Sequence, residues 1–415
     1  MTIGSSASAY LRFVATHRRL LAFGFLLTFF SSFGQTFMIA LSGGEIRAAF
    51  GLTNGGFGGI YSAATLASAL CLPWVGRRID RVALPRYATA VCLGLAAACL
   101  LMAVSAHVAV LAMALFGLRL CGQGLMTHTA MTGLARGAGA GRGKAVSIGA
   151  LGFAAGEVVF PPLVVLAMTA IGWRTIWAVL AALLLAVGPA AVRLLLRGDG
   201  DAGGGGGGRP SAMASPVGIT TAGVLRDPRF LLLVPALVTP AFVVTGVSFH
   251  QVALVEARGW SLAWFASSIA GFALAAVVAS LAAGPAADRF GAQRLAPVLL
   301  LPLTAGVLAL GLGRGEGAAL AFMVLAGLTA GTNSVVINAV WVDLYGAASL
   351  GMTRSLAASL MVVSSAASPV LFGVLLDLGV SFEALFLGCA AWTLVACAAA
   401  AASLRVGAAG VGARG

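Results

Sequence analysis

The chain alternates long apolar stretches with short polar breaks from one end to the other. A helix needs about 20 apolar residues to cross the hydrocarbon core of a membrane. Six stretches of this length lie near 20–42, 57–76, 86–106, 108–134, 145–170 and 174–196, and six more near 229–255, 262–285, 294–313, 318–342, 354–377 and 382–404. The pattern predicts an all-α membrane protein with 12 transmembrane helices, numbered here as spans 1 to 12.

The longest polar break separates the two sets of six spans. It contains the glycine run Gly203–Gly208 together with Pro210 and Pro216, a composition typical of a flexible linker. The glycine run formally satisfies the pattern GxGxxG, but no predicted strand or helix flanks it, which argues against a nucleotide site. We therefore expect an N-terminal six-helix bundle (1–196), a Gly-rich cytoplasmic linker (197–228) and a C-terminal six-helix bundle (229–415).

Charge is scarce and unevenly placed. Only 9% of the residues are charged, against about 25% in a typical soluble domain. The net charge of +13 comes from basic residues that are spread over the short breaks between apolar stretches. Because they form no basic cluster, a nucleic-acid-binding surface is not the main interpretation. Twenty of the 25 Lys and Arg residues lie on one side of the predicted spans, and four lie on the other: Arg47, Arg174, Arg258 and Arg314. Since basic residues favour the cytoplasmic side, both termini are predicted to be cytoplasmic in a multi-pass protein of the cell inner (plasma) membrane.

One polar motif occurs twice, 208 residues apart. Gly76, Asp80, Arg81 and Arg86 follow span 2, and Gly284, Asp288, Arg289 and Arg294 follow span 8 at the same relative positions. The same offset also aligns Gly143 with Gly351 and Pro161 with Pro369. Because the offset covers an even number of spans, both halves have the same orientation, as in a parallel repeat.

These repeated residues resemble the GxxxDRxGRR signature of the major facilitator superfamily. The first copy lacks the second glycine, whereas the second copy has it as Gly291. The resemblance implies two parallel six-helix repeats around a central cavity that spans 1, 4, 7 and 10 mainly line. It also implies that Asp80 and Asp288 act in gating, where a carboxylate can face the positive N-terminus of a helix. A purely topogenic charge cluster is the alternative.

Two charged residues lie near the middle of spans, where a charge costs a few kcal/mol unless it is paired or hydrated. Arg119 is in span 4 and Glu157 is in span 5. Gln123 follows Arg119 by four residues and therefore shares its helix face. We predict that Arg119 anchors the substrate and that Glu157 couples transport to protons; a structural ion pair between the two helices is the alternative.

Further polar residues fall on the spans that the resemblance places around the cavity. They are Gln35 in span 1, His250 in span 7, and Asn333 and Asn338 in span 10. Residues of this kind often only bond neighbouring helices, and His250 also suits a gate near the outer mouth. Asp343, Asp377 and Glu383 lie at helix ends, and we expect them to be solvated.

The sequence therefore favours a secondary transporter over an enzyme or a channel. GxSxG, HExxH and CxxC are absent from it, so we predict no enzyme activity and no metal. A midplane arginine suits a small organic anion such as a carboxylate, carried by alternating access with proton symport. The alternative is efflux of apolar drug-like compounds by proton antiport. We expect a monomer that needs a bilayer, a small-molecule substrate and protons, with no cofactor and no nucleic acid.

Overall fold

The computed structural model describes residues 3–197, 220–346 and 349–412, and within them it contains helices and no strand. Twelve helices are long and apolar enough to cross a membrane, which confirms the predicted number. They are α1 (Arg18–Ala40), α2 (Asn54–Asp80), α3 (Leu84–Ala103), α4 (Val108–Gly137), α5 (Gly139–Ile171), α6 (Trp173–Leu195), α7 (Pro228–Phe249), α8 (Leu262–Phe290), α9 (Ala292–Leu312), α10 (Gly317–Tyr345), α11 (Leu350–Asp377) and α12 (Phe382–Val406).

Four of these helices differ from the continuous spans expected from the sequence. In α9, Ala296–Val298 form a 3₁₀ segment and the α-helix resumes only at Leu301. In α1, a 3₁₀ segment covers Ser31–Gly34, and Gln35 is extended. In α4, Leu118–Met126 form a π-helical segment. The seventh span was predicted to run to residue 255, but α7 ends at Phe249, and Gln251–Arg258 form a separate short helix after a break at His250. Most of the predicted linker, including Gly203–Gly208, lies outside the described residues.

The chain divides into two compact units. Unit 1 comprises Met1–Glu45 and Ala63–Gly207, and unit 2 comprises Ile46–Ser62 and Gly208–Gly415. The division at 207 and 208 falls inside the predicted linker, but the short segment Ile46–Ser62 joins the second unit. Helix α2 is therefore shared, because its first residues belong to unit 2 and the remainder to unit 1.

Unit 1 is held together by close helix contacts through small residues. Helix α1 packs against α5, and α3 packs against α6. The Thr28 hydroxyl donates a hydrogen bond of 2.6 Å to the Gly149 carbonyl oxygen. A Cβ at Gly152 would collide with Thr28, and one at Gly156 with Ser32. Small residues of this kind let transmembrane helices approach each other closely.

Unit 2 has an apolar core, and the side chain of Arg258 bonds the end of α9. Helices α7, α10 and α12 contribute to a buried cluster that includes Phe230 and Trp341. The Arg258 guanidinium donates to the carbonyl oxygens of Leu310, Gly311 and Gly313 at distances of 3.0–3.1 Å. These carbonyls lie at the end of α9, where no further helical N–H is available to bond them.

Candidate functional site

The irregular segments of α1 and α4 meet in the middle of unit 1. A Cβ at Gly34 would overlap the Leu118 carbonyl oxygen, and one at Gly122 would lie 2.6 Å from Gly34 Cα. Glycine at both positions therefore lets the two backbones touch. π-Helical segments occur frequently at functional sites, and here the segment places Arg119 beside the interrupted part of α1.

Arg119 lies inside unit 1 with 4% of its surface exposed. Its Nη1 donates a hydrogen bond of 3.0 Å to the carbonyl oxygen of Gly34. This oxygen belongs to the 3₁₀ segment of α1, so the arginine ties the α4 segment to the α1 segment. Gln35 and Gln123 belong to the same two helices, and both are half-buried.

Glu157 lies on α5, directly after Gly156, which contacts Ser32 of the same α1 segment. The Glu157 side chain is half-buried, and within the described part of the chain no hydrogen bond or ion pair holds it. The structural ion pair with Arg119 that the sequence left open is therefore not formed in this conformation. Both charged residues instead flank the segment Ser31–Gly34 from neighbouring helices.

Among the described residues, no hydrogen bond joins the candidate residues of unit 2 to one another. Asn338 donates a hydrogen bond of 2.5 Å to the Ser334 carbonyl oxygen of its own helix. Asn333 is 6% exposed, and its Oδ1 atom has no hydrogen-bond partner among the described residues. Asn333 thus carries a buried acceptor that no described residue satisfies.

His250 lies at the break after α7 and is buried. Its Nε2 lies 2.9 Å from the Pro369 carbonyl oxygen, which can only accept, so Nε2 is the donor. Burial lowers the pKa of His250 to about 4; the bond to Pro369 opposes this shift, nearby Arg47 adds to it, and Asp377 opposes it. The imidazole is therefore neutral near pH 7.

The aspartates in the two copies of the repeated motif differ in their contacts. Asp80 forms an ion pair with Arg136, at the end of α4, and Arg136 also reaches the Ile79 carbonyl oxygen. Asp288 is exposed and makes no hydrogen bond or ion pair to any described residue. The arginines Arg81, Arg86, Arg289 and Arg294 are exposed, and Gly76 and Gly284 lie in the last turns of α2 and α8.

Two acidic residues have partners that the sequence did not reveal. Asp227 caps the start of α7, bonds Arg229, and accepts a hydrogen bond of 3.1 Å from the Tyr345 hydroxyl. Burial opposes ionisation of Asp227, but its bonds with Arg229 and Tyr345 outweigh this and lower its pKa. Asp377 was expected to be merely solvated, yet it accepts three hydrogen bonds from Asn54 and Gly55.

Comparisons with known proteins agree with this architecture. The model of the Major Facilitator Superfamily matches residues 21–312. A bacterial homolog of the human lysosomal transporter Spinster, in an inward-facing and occupied conformation, is similar with a TM-score of 0.70 and 16% identity over 94% of this chain and 96% of its own. The nucleoside transporter NupG is similar with a TM-score of 0.72 and 11% identity over 93% and 99%. At such identities these structures show the fold alone. No curated protein matches the chain.

Proposed function

The chain belongs to the major facilitator superfamily, and we propose that it is a secondary transporter that carries a small organic anion, such as a carboxylate, together with protons. The observation that carries this proposal is the buried guanidinium of Arg119 beside the interrupted part of α1. A guanidinium binds a carboxylate through two parallel hydrogen bonds. A charge at this depth is rare unless it serves a ligand, a partner or a water-filled path.

In this proposal the substrate competes with the protein backbone for Arg119. The bond from Nη1 to the Gly34 carbonyl oxygen weakens when a carboxylate engages the guanidinium. The segment Ser31–Gly34 then loses a contact to α4 and becomes free to move. Gln35 and Gln123 are half-buried on the same two helices and supply further donors for a polar substrate.

Glu157 supports the proton part of the proposal. An ionised carboxylate at membrane depth costs about 3 kcal/mol when nothing compensates it, and Glu157 has no hydrogen bond or ion pair with the described residues. Carrying a proton removes that charge. Because Gly156 contacts Ser32, a movement of the α1 segment reaches the helix turn that bears Glu157. The same segment thus links the anion site to the proton site.

We further propose roles for the remaining candidates. Asn333 and Asn338 contribute polar groups from α10, and His250 acts at the outer end of α7. Asp80 and Asp288 operate the repeated gating motif together with their neighbouring glycines and arginines. The twenty-to-four distribution of basic residues supports cytoplasmic termini in an inner membrane protein, which acts as a monomer.

A second candidate function is proton-driven efflux of apolar drug-like compounds. The observation that favours it is a group of phenylalanine rings around the same α1 segment. The rings of Phe29 and Phe33 lie 4.5 Å and 4.8 Å from that of Phe160, and Phe30 lies 5.7 Å from Phe33. Aromatic rings bury large apolar areas, so they suit an apolar substrate that needs no arginine.

Uptake of labelled carboxylates into proteoliposomes tests the choice between these functions. Arg119→Lys should weaken carboxylate affinity by about tenfold or more, because an ammonium cannot replace the planar fork of two hydrogen bonds. Arg193→Lys is the matched control, since Arg193 is exposed at the end of α6. Unchanged carboxylate affinity in Arg119→Lys, with export of apolar dyes intact, would favour the efflux function instead.

A further inference from the structure

The start of α2 is capped by a carboxylate from the far end of the chain. Asp377, the last residue of α11, accepts hydrogen bonds from the backbone N–H groups of Asn54 at 3.0 Å and Gly55 at 2.8 Å, and from Asn54 Nδ2 at 3.2 Å. The first N–H groups of a helix have no partner within the helix, and the helix dipole adds partial positive charge there. The Asp377 carboxylate both bonds these N–H groups and lies next to the positive end of the helix dipole. These residues all belong to unit 2.

Beneath this cap the two helices touch through their backbones. A Cβ at Gly58 would overlap the Pro369 carbonyl oxygen, and a Cβ at Gly373 would lie 2.5 Å from the Asn54 backbone. Backbone atoms cannot rotate away as a side chain can. The contact between α2 and α11 therefore closes only because these two positions are glycine.

A layer of aromatic side chains lies next to the glycine contact. The Phe249 ring lies 4.9 Å from that of Phe57 and 4.7 Å from that of Tyr61, and all three residues are at most 3% exposed. His250 donates to the same Pro369 carbonyl that faces Gly58. The contact thus consists of the polar cap at Asp377, the backbone seal formed by the two glycines, and the layer of aromatic rings. The glycine contact and the aromatic layer are buried and exclude solvent.

We propose that Asp377, the α2 N-terminus at Asn54 and Gly55, and the glycine contact beneath them form a latch that closes the predicted outer side and releases during transport. This proposal rests on the proposed transport function. The latch uses charge–dipole chemistry of the kind that the repeated motif suggests for Asp80 and Asp288, but on the opposite side and through a residue outside that motif. At the 208-residue offset, Asp377 corresponds to Thr169, and Gly373 to Val165. Asp377 and Gly373 therefore have no identical counterparts in the first repeat.

Cysteine accessibility in whole cells tests the latch without reference to any substrate. The six native cysteines are replaced, and Ser62→Cys supplies one buried thiol next to Tyr61. A membrane-impermeant maleimide added outside then reports how often the latch opens. Asp377→Ala should raise the labelling rate about tenfold, because hydrogen bonds to a charged group and a helix dipole contact are both lost. Glu383→Ala is the matched control, since Glu383 is an exposed acid near the same end of α11. Equal labelling rates in these two variants would overturn the proposal.

A second pair of variants tests the backbone seal and does not depend on the charge. Gly58→Ala should raise the labelling rate, because its Cβ meets a carbonyl oxygen. Gly59→Ala should not, because its Cβ would lie 3.9 Å from Val370 Cγ2 in ordinary contact. Monodisperse elution after purification confirms that each variant folds, and the glycine pair decides the matter if Asp377→Ala does not fold. Faster labelling in Asp377→Ala and Gly58→Ala supports the latch even where anion uptake fails, and unchanged labelling in Gly58→Ala contradicts it.

Discussion

Replacing Gly122 by alanine should separate α1 from α4 and disturb the site around Arg119. The added Cβ would lie 2.6 Å from Gly34 Cα and 2.8 Å from Gly34 N, whereas carbon atoms in contact are about 3.5–4.0 Å apart. Because both clashing atoms belong to the backbone, the helices must move apart by about 1 Å. The bond from Arg119 to Gly34, now 3.0 Å long, would then stretch to about 4 Å and no longer be a hydrogen bond.

The size of the effect follows from three contributions to the free energy of unfolding. Overpacking a tight contact costs about 1–3 kcal/mol, and the loss of a hydrogen bond to a charged group costs about 1.5–3 kcal/mol. Alanine returns about 1 kcal/mol through its higher helix propensity. We therefore expect Gly122→Ala to lower the free energy of unfolding by about 1.5–5 kcal/mol and to reduce anion uptake.

Gly124→Ala is the matched control in the same π-helical segment. Its Cβ would lie 3.1 Å from Leu72 Cδ1, which is the end of a flexible side chain and can turn away. Chemical unfolding in detergent micelles measures both variants under identical conditions. If Gly122→Ala is as stable as Gly124→Ala and keeps full uptake, the contact between α1 and α4 does not support the site as described.

Three further predictions concern pH, gating and topology. The buried His250 has a pKa of about 4 against about 6.5 for an exposed imidazole, so the open or unfolded state binds more protons. The free energy of unfolding should therefore fall by up to about 1.4 kcal/mol per pH unit as the pH is lowered from 6.5 to 4. His250→Gln should flatten this slope in unfolding titrations. Asp80→Asn breaks the pair with Arg136 and should change uptake more than Asp288→Asn, whose carboxylate has no described partner; equal effects in a transport assay would contradict this. External maleimide should label a cysteine placed near Arg47 but not one at Gly205, and labelling at Gly205 in intact cells would reverse the predicted orientation.

The sequence predicted features that depend on local pattern. Twelve spans followed from runs of apolar residues, and the depth of Arg119 and Glu157 within their spans was sufficient to mark them as candidates. The breaks in α1 and α4 were not predicted, because Ser31–Gly34 and Leu118–Met126 are mostly apolar or small and continue the hydrophobic pattern. Both breaks lie where Gly34 contacts Gly122, a tertiary contact that no local pattern reports.

Contacts between distant residues were beyond the reach of sequence patterns. Asp377 and Asn54 are 323 residues apart, and neither has a neighbouring residue that signals the other. The end of α7 was missed for a related reason, since Val252, Leu254 and Val255 continue the apolar run beyond His250. At that break His250 donates to the Pro369 carbonyl oxygen, a contact across 119 residues that the local sequence does not signal.

The most direct test of proton-coupled anion transport is accumulation in proteoliposomes with an imposed pH gradient, measured for the wild type and Glu157→Gln. The wild type should concentrate a labelled carboxylate, and a protonophore should abolish that accumulation. Glu157→Gln should lose gradient-driven accumulation while it still exchanges internal for external substrate. The neutral amide keeps the size of the side chain but cannot take up or release a proton. Glu383→Gln, at an exposed position, should behave like the wild type. Full accumulation by Glu157→Gln would contradict the account.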